Sequence, residues 1–529
     1  MSTGKLEFVS ISPAGVVPLD DVALRLHPQD DVAIAKMTLQ VSTILAVPGS
    51  DGSQSQVPIR QLIPTGHKVA LQPIAVHAPV HRYGQIIGFA SQDILPGDHV
   101  HTHNVELGNF ERDYAIGTDV RPVTYVQAQE RRTFMGYKRP DGRVGTRNYL
   151  AVISTVNCSA HATREIAQHF TKEKLAAYPN VDGVIPLVHG IGCTGPIGNQ
   201  GYQVLQRVLA GMARHPNVAA CLIVGLGCET NQASDLIENF NLGDGQTQMI
   251  TLQGEGGIRK TVAAGIAAIE RLLPVANAYQ RTQQPISELM VALQCGGSDS
   301  WSGITANPVV GLVADQIVRQ GGTVVLAETP EIYGAEPMLT RRAVSREVGQ
   351  KLIDKIHWWE HYTETQGIEI NNNPSVGNKA GGLTTIYEKS LGAAAKGGST
   401  PLTGVYDYAE PITTRGFTFM DSPGYDPVSV TGQVASGCTL VLFTTGRGSC
   451  FGFKPAPSIK IATNTATYQH MIDDMDMNAG KVLEGVTLDQ VAAELMEMTL
   501  NVASGQPSKS EAQNVGESEF DPWYLGGTL

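Results

Sequence analysis

"YLAVISTVNC" (149–158) is a short run of apolar and β-branched residues that stops at a cysteine. After it, "HATREIAQHFTKEKLAAY" (161–178) spaces its apolar residues at helical intervals. The pairing then repeats. "VDGVIPLVHGIGC" (181–193) precedes the helical "NQGYQVLQRVLAGMARH" (199–215), and "VAACLIVGLGC" (218–228) follows. Further on, "ELMVALQC" (288–295) precedes "NPVVGLVADQIVRQGG" (307–322), and "TVVLAETPE", "TLVLFTTGRGS" and "PSIKIATN" continue the series. Strands alternating with helices predict parallel sheets with helices on their faces, that is, an α/β body. We expect two lobes: a first α/β domain over 136–280 and a second, catalytic α/β domain over 285–529, meeting near "AYQRTQQPISE" (278–288).

Upstream the texture differs. Residues 1–105 carry short apolar runs such as "DVAIAKMTL" (31–39) and "HKVALQPIAV" (67–76), separated by turn-forming stretches at 47–58 and 95–99. This predicts a small all-β, clip-like domain. Residues 106–135 are polar and irregular and read as a linker.

Composition removes several classes of function. The net charge is −12 and there is no long basic block, which argues against a nucleic-acid partner. No apolar run is long enough to suggest a membrane span. "MSTGKLEFVS" does not read as a secretory signal, so a cytoplasmic protein is expected. Seven cysteines in 529 residues are too few for a disulfide scaffold and are expected as thiols.

Four of the strand-like runs end in cysteine, at Cys158, Cys193, Cys228 and Cys295. Ligands of open α/β sheets bind outside the carboxyl ends of the strands, so these thiols are candidate metal ligands. Their softness favours iron, zinc or an iron–sulfur cluster. "GIGCTG" (190–195) has the spacing of a dinucleotide loop. It lacks the acidic residue about 20 positions on that would bind the ribose, because none occurs between Asp182 and Glu229. "LQCGGSDSWSGITANP" (293–308) offers Ser298, Asp299 and Asn307 to a polyhydroxylated ligand. "NPSVGNKAGGLTTIYEKS" (373–390) adds Asn378, Lys379 and Glu388, and "TTGRGS" (444–449) adds Arg447, suited to forking onto a carboxylate. Arg147, in "RPDGRVGTRN" (139–148), is a second clamp candidate, and Glu328 stands at a strand end. "HVHTHN" (99–104) puts His99, His101 and His103 at alternate positions, on one face if the stretch is extended.

Taken together, "LQCGGSDSWSGITANP", "NPSVGNKAGGLTTIYEKSLG", "VGLGCETNQ" and "TTGRGS" resemble the altronate/galactarate dehydratase family of sugar-acid dehydratases. "IPTGHKVAL" (63–71), "YGQIIGFA" (83–90) and "GDHVHTHN" (97–104) are similar to that family's SAF-type β-clip domain. The resemblance runs from about residue 24 to 529. The H-x-H-x-H-N stretch and Gly334-Ala335-Glu336 point to the altronate branch. "SVGNK" and "GRGSCFG" depart from the family's usual S-P-G-N-K and G-R-G-T-P-Y-G.

The resemblance implies removal of water from a sugar acid, D-altronate first, to a 2-keto-3-deoxy acid, with dependence on Fe²⁺ or Mn²⁺. It leaves open a mononuclear ion or an iron–sulfur cluster on the four cysteines. It implies His67, His101 and His103 as acid, base or metal ligand, with Asp299 and Glu328 completing the catalytic set. His99 joins the four cysteines as a metal ligand. Lys68, Arg147, Lys379 and Arg447, with Ser298, Asn307 and Asn378, are implied to contact substrate. Galactarate or another sugar acid, a sulfolactate-type sulfo-lyase, and a non-catalytic sugar-acid binding protein are the alternatives. A homo-oligomer, first a dimer, is expected on frequency alone.

Overall fold

The computed structural model describes residues 10–49, 52–194, 198–243 and 245–525. Gly195, the last glycine of the 190–195 stretch, and Ser50 and Asp51, in the 47–58 turn, lie outside them. The N-terminal part is β-rich: three small sheets are built from short strands between Gly15 and Glu106. In one of them Lys68–Ala70 pairs antiparallel with both Val32–Ala35 and His99–Val100. That pairing brings the "GHK" turn beside the histidine row.

The body is α/β with two parallel sheets. A four-stranded sheet has the order Gly183–Leu187, Tyr149–Ser154, Val218–Gly225, Thr247–Thr251. A seven-stranded sheet has Met290–Cys295 at its centre, flanked by Thr323–Leu326 and Leu440–Thr445. The central strands are buried on both faces, which is why they read as unbroken apolar runs rather than alternating ones. Leu150, Val152 and Ile153 are 0% exposed, and each contributes roughly 1.5–3 kcal/mol of burial. One apolar cluster joins the two sheets, with Ile153 and Ile223 packed in the same core as Val325, Val441 and Phe443.

Two connections differ from expectation. The polar join near 278–288 contains a strand, Arg281–Pro285, which pairs antiparallel with Thr133–Lys138 at the end of the stretch read as linker. Residues 107–127 form no helix or strand, but they are not a free tether. Leu107, Phe110, Ile116 and Val123 pack on the core of the seven-stranded sheet. Arg112 bonds Glu336 at 2.9 Å and Glu360 at 2.6 Å.

Candidate active site

The carboxyl edge of the seven-stranded sheet carries Cys295, Glu328, Asp421, Arg447 and Asn464 just at or past its strand ends. The β domain sits over this edge. Its loops meet those of the body backbone to backbone, and glycine makes the approach feasible. A Cβ on Gly382 (φ +95°) would lie 2.4 Å from the Gly66 carbonyl oxygen. A Cβ on Gly446 would strike the Asp299 carboxylate at 2.1–2.5 Å.

Four imidazoles gather at this contact. His67 Nδ1 and His99 Nε2 are 2.9 Å apart. Ring centroids lie 4.8 Å apart for His67–His101, 5.3 Å for His99–His101 and 5.4 Å for His99–His103. The row comes together by a turn rather than by strand pleating, since only His99 is in a strand. Asn104 closes that turn: its Oδ1 accepts from the His101 N–H at 2.9 Å and its Nδ2 donates to the His99 carbonyl at 2.9 Å. Burial, then Lys68 and the neighbouring rings, push His101 down to about 4; burial and the other rings push His99 to about 3. Neutral rings have free lone pairs for a metal. One ligand nitrogen from each of His67, His99 and His101 falls within 4.8 Å of the other two, and His101 Nδ1 is buried without a hydrogen-bond partner. The donor set and its orphaned nitrogen fit a divalent metal ion.

Beneath the rings lies a saturated ion network. Lys68 Nζ donates to both Glu388 oxygens at 2.9 Å and to the Gly382 carbonyl at 2.6 Å. Arg82 donates to Glu388 at 2.5 Å and to the Ser300 carbonyl at 2.7 Å. Burial opposes the charge on Glu388, but Lys68 and Arg82 outweigh it and hold the pKa at about 2. Lys68 therefore docks the β domain, and all three of its ammonium donors are committed, which corrects its assignment as a substrate contact.

A second cluster is sealed below the edge. Cys295, Glu328 and Glu331 place one ligand atom each within 4.8 Å of the others. Lys396 Nζ lies 2.8 Å from Cys295 Sγ, and Lys389 donates to Glu331 and Asn373 at 2.5 Å each. Both Glu328 oxygens are buried without partners, and its backbone adopts φ 71°, rare for a residue with a side chain. Burial pushes Glu328 well up, Asp426 to about 7 and Cys295 to about 12. Glu328, expected as a catalytic residue, is 1% exposed and keeps both carboxylate oxygens out of solvent.

Other candidates hold the frame. Arg147 donates through Nε and both terminal nitrogens to Glu511 and to the Thr146, Val502 and Gln506 carbonyls. Nothing is left for a substrate carboxylate, a correction of the clamp reading. Asn307 bridges the Gly392 carbonyl and Thr444. Asn378 caps its helix against Ser375 and donates to the Ser298 carbonyl at 2.8 Å, pinning two glycine loops together. Asp299 accepts from Ser302, Thr463 and Asn464 and orders the same loops. Arg447 is exposed, Lys379 half-exposed and His103 exposed. The Arg447 stem runs within 3.3 Å of where a Cβ on Gly381 would stand, two residues from Lys379.

The four cysteines do not form one set. Cys295 is buried in the seven-stranded sheet, whereas Cys158, Cys193 and Cys228 follow strands of the other sheet. Sequence reasoning missed Arg82, Lys389, Lys396 and Asp426. A signal existed for two of them: Lys389 and Lys396 are seven residues apart across "EKSLGAAAK", two helical turns on one face.

Comparison with known proteins places this geometry. Residues 21–108 match the altronate/galactarate dehydratase SAF domain. Residues 136–277 match the D-galactarate dehydratase/altronate hydrolase second domain, and 286–528 the D-galactarate/altronate dehydratase C-terminal domain. An altronate dehydratase of Bacillus subtilis (strain 168) is 36% identical over 498 residues, 93% of this chain and 97% of that protein. A galactarate dehydratase (L-threo-forming) of Escherichia coli (strain K12) is 35% identical over 491 residues, 91% and 93% of the two chains. The (2R)-sulfolactate sulfo-lyase subunit beta of Chromohalobacter salexigens is 32% identical over 398 residues, 74% of this chain and 96% of that one. The chain belongs to the D-galactarate/altronate dehydratase family, whose members remove water from sugar acids.

Proposed function

We propose that the protein dehydrates a 2,3-dihydroxy sugar acid, D-altronate in first place, to a 2-keto-3-deoxy acid, with Fe²⁺ or Mn²⁺ held by His67, His99 and His101. The observation that carries the reading is the neutral imidazole cluster with its orphaned His101 nitrogen, set over a sheet edge on which Arg447 is exposed and Lys379 half-exposed. A bound divalent ion supplies Lewis-acid stabilisation of the charge that develops at the substrate carboxylate when C2 loses its proton. Arg447 and Lys379 receive that carboxylate, Arg447 by a two-pronged contact. His103, the exposed ring of the row, carries a proton between C2 and the departing C3 hydroxyl. Asp299 and Asn378 hold the loops that present Arg447 and Lys379. Ser298 lies on the same loop.

Identity to altronate and galactarate dehydratases is nearly equal, so the preference for D-altronate rests on the "HVHTHN" and "GAE" stretches. Among the described residues no helix is long and apolar enough to cross a membrane. A cytoplasmic homodimer completes the reading, and sedimentation measures the oligomeric state. The deciding experiment loads the full chain anaerobically with Fe²⁺ and offers D-altronate, galactarate and (2R)-sulfolactate in parallel. Keto-acid release from D-altronate is expected. Sulfite from sulfolactate would move the assignment to a sulfo-lyase, and tight binding of a sugar acid without turnover would make it a binding protein.

A further inference from the structure

The four-stranded sheet has a carboxyl edge of its own, and the proposed reaction does not use it. Three neighbouring strands, Gly183–Leu187, Tyr149–Ser154 and Val218–Gly225, lead into loops bearing Cys193, Cys158 and Cys228. Hydrogen bonds stitch these loops together. The Asn157 N–H donates to the Ile191 carbonyl at 2.9 Å, and the Thr230 N–H donates to the Cys193 carbonyl at 2.9 Å. Asn231 Nδ2 donates to the Thr155 carbonyl at 3.1 Å. Cys158 and Cys228 are exposed and Cys193 is half-exposed; Cys221, Cys295 and Cys438 are buried, and Cys450 is exposed on a loop after a strand of the other sheet. A cysteine kept for packing is buried, so three thiols turned outward at one sheet edge need a different account.

Two further observations mark the place as a site. A crevice lined by Ile191, Gly192, Tyr202, Thr230, Asn231 and Trp523 opens beside the Cys193 loop. Asn231 is 6% exposed, and its Oδ1 is buried without a hydrogen-bond partner. In addition, Gln253 Nε2 donates to Cys228 Sγ at 3.1 Å, a contact that stabilises a sulfur carrying negative charge.

We infer that Cys158, Cys193 and Cys228 hold an iron–sulfur cluster, at a site separate from the histidine cluster. A single tetrahedral ion with metal–sulfur bonds of about 2.3 Å requires its thiolates within roughly 4 Å of one another. The three Sγ atoms do not all lie within 4.8 Å of each other. A cluster several ångström across accepts that wider spacing. Three cysteines are one fewer than a four-iron cluster takes when fully cysteine-ligated. One iron is then left for an oxygen ligand from a small hydroxyl- or carboxylate-bearing molecule.

The test is composition, not turnover. The full chain is reconstituted anaerobically with ferrous iron and sulfide, desalted, and assayed for iron, acid-labile sulfide and visible absorbance. About four sulfides per chain are expected. Cys158→Ser, Cys193→Ser and Cys228→Ser should each abolish most of the sulfide, and Cys450→Ser should leave it unchanged. Sulfide separates this site from the histidine cluster, which would bind iron alone. Wild-type protein that takes up iron without sulfide overturns the inference, as does sulfide retained in all three variants. If a variant fails to fold, the wild-type stoichiometry still decides.

Discussion

The two parallel sheets of the body use their carboxyl edges in opposite ways. Above the seven-stranded edge sits a second domain, and nearly every charge there is answered: Glu388 by Lys68 and Arg82, Glu331 by Lys389, Asp299 by three side chains. No such domain covers the four-stranded edge among the described residues, and it presents thiols to solvent. The difference teaches what a lid does. Taking water from around a site makes each charge interaction stronger and each unanswered charge costlier, so a covered group is either paired or, like Glu328, pushed by burial toward its neutral form. An open edge sets no such condition and can afford reactive groups.

The sharpest way to break this comparison is to remove two rings of the histidine row, His101 with its buried nitrogen and the exposed His103. The His101→Ala/His103→Ala double variant should lose about 10³–10⁴ of kcat/KM on the sugar acid while melting within a few degrees of the parent. It should also bind Mn²⁺ more weakly by titration calorimetry. Full activity in that variant would end the catalytic reading of the row. Next in size is Glu388→Ala, which strands two buried cations and should cost about 3–5 kcal/mol. Urea unfolding measures the loss, and limited proteolysis should show earlier cutting within 107–127 as the β domain loosens. A variant as stable as the parent would mean that the network does not hold the two parts together.

These charges also explain what was legible in the sequence and what was not. The α/β body was readable because "YLAVISTVNC" and "VAACLIVGLGC" are doubly buried strands, and such burial leaves uninterrupted apolar runs. The small β domain was readable from its turns. The histidine cluster was visible only as a spacing, and the strand assumed for it turned out to be an Asn104-closed turn that brings the same rings together. Arg147 and Lys68 were misassigned because a charge in a glycine-rich stretch looks alike whether its partner is a substrate or a residue more than 300 positions away, as Glu511 and Glu388 are. Pairing across such distances leaves no trace in one sequence. Arg447 tests the converse case, a cation left open. Arg447→Ala should raise KM about 10–100-fold with little change in melting temperature, and Arg447→Lys should recover only part of the loss. An unchanged KM would place the carboxylate elsewhere.

The smallest effect concerns what joins the two sheets. His215 lies just past the helix Gln200–Ala213 of the four-stranded unit and donates through Nε2 to the Cys438 carbonyl beside the other sheet at 3.0 Å. Its Nδ1 accepts from the Asn217 N–H at 3.1 Å, so both ring nitrogens are engaged in the neutral form. Burial pushes this imidazole down to about 3, well below the value near 6.5 that it has when unfolded. The unfolded chain therefore takes up a proton that the folded chain refuses. Stability from this group is full above pH 6.5 and falls by about 1.4 kcal/mol for each pH unit below it, until the folded pKa is reached. His189, buried and held down to about 4, adds a similar slope. His99 and His101 are also held down, so melting curves at pH 7.5 and 5.5 should show the parent losing stability on acidification and His215→Gln losing about 1.4 kcal/mol less. The variant should also be weaker at pH 7.5, because the Cys438 carbonyl and the Asn217 N–H lose their fitted partner. Equal slopes in the two proteins would show that acid acts elsewhere, and the sheets would keep their other ties, such as Thr146 Oγ1 donating to the Thr439 carbonyl at 2.7 Å.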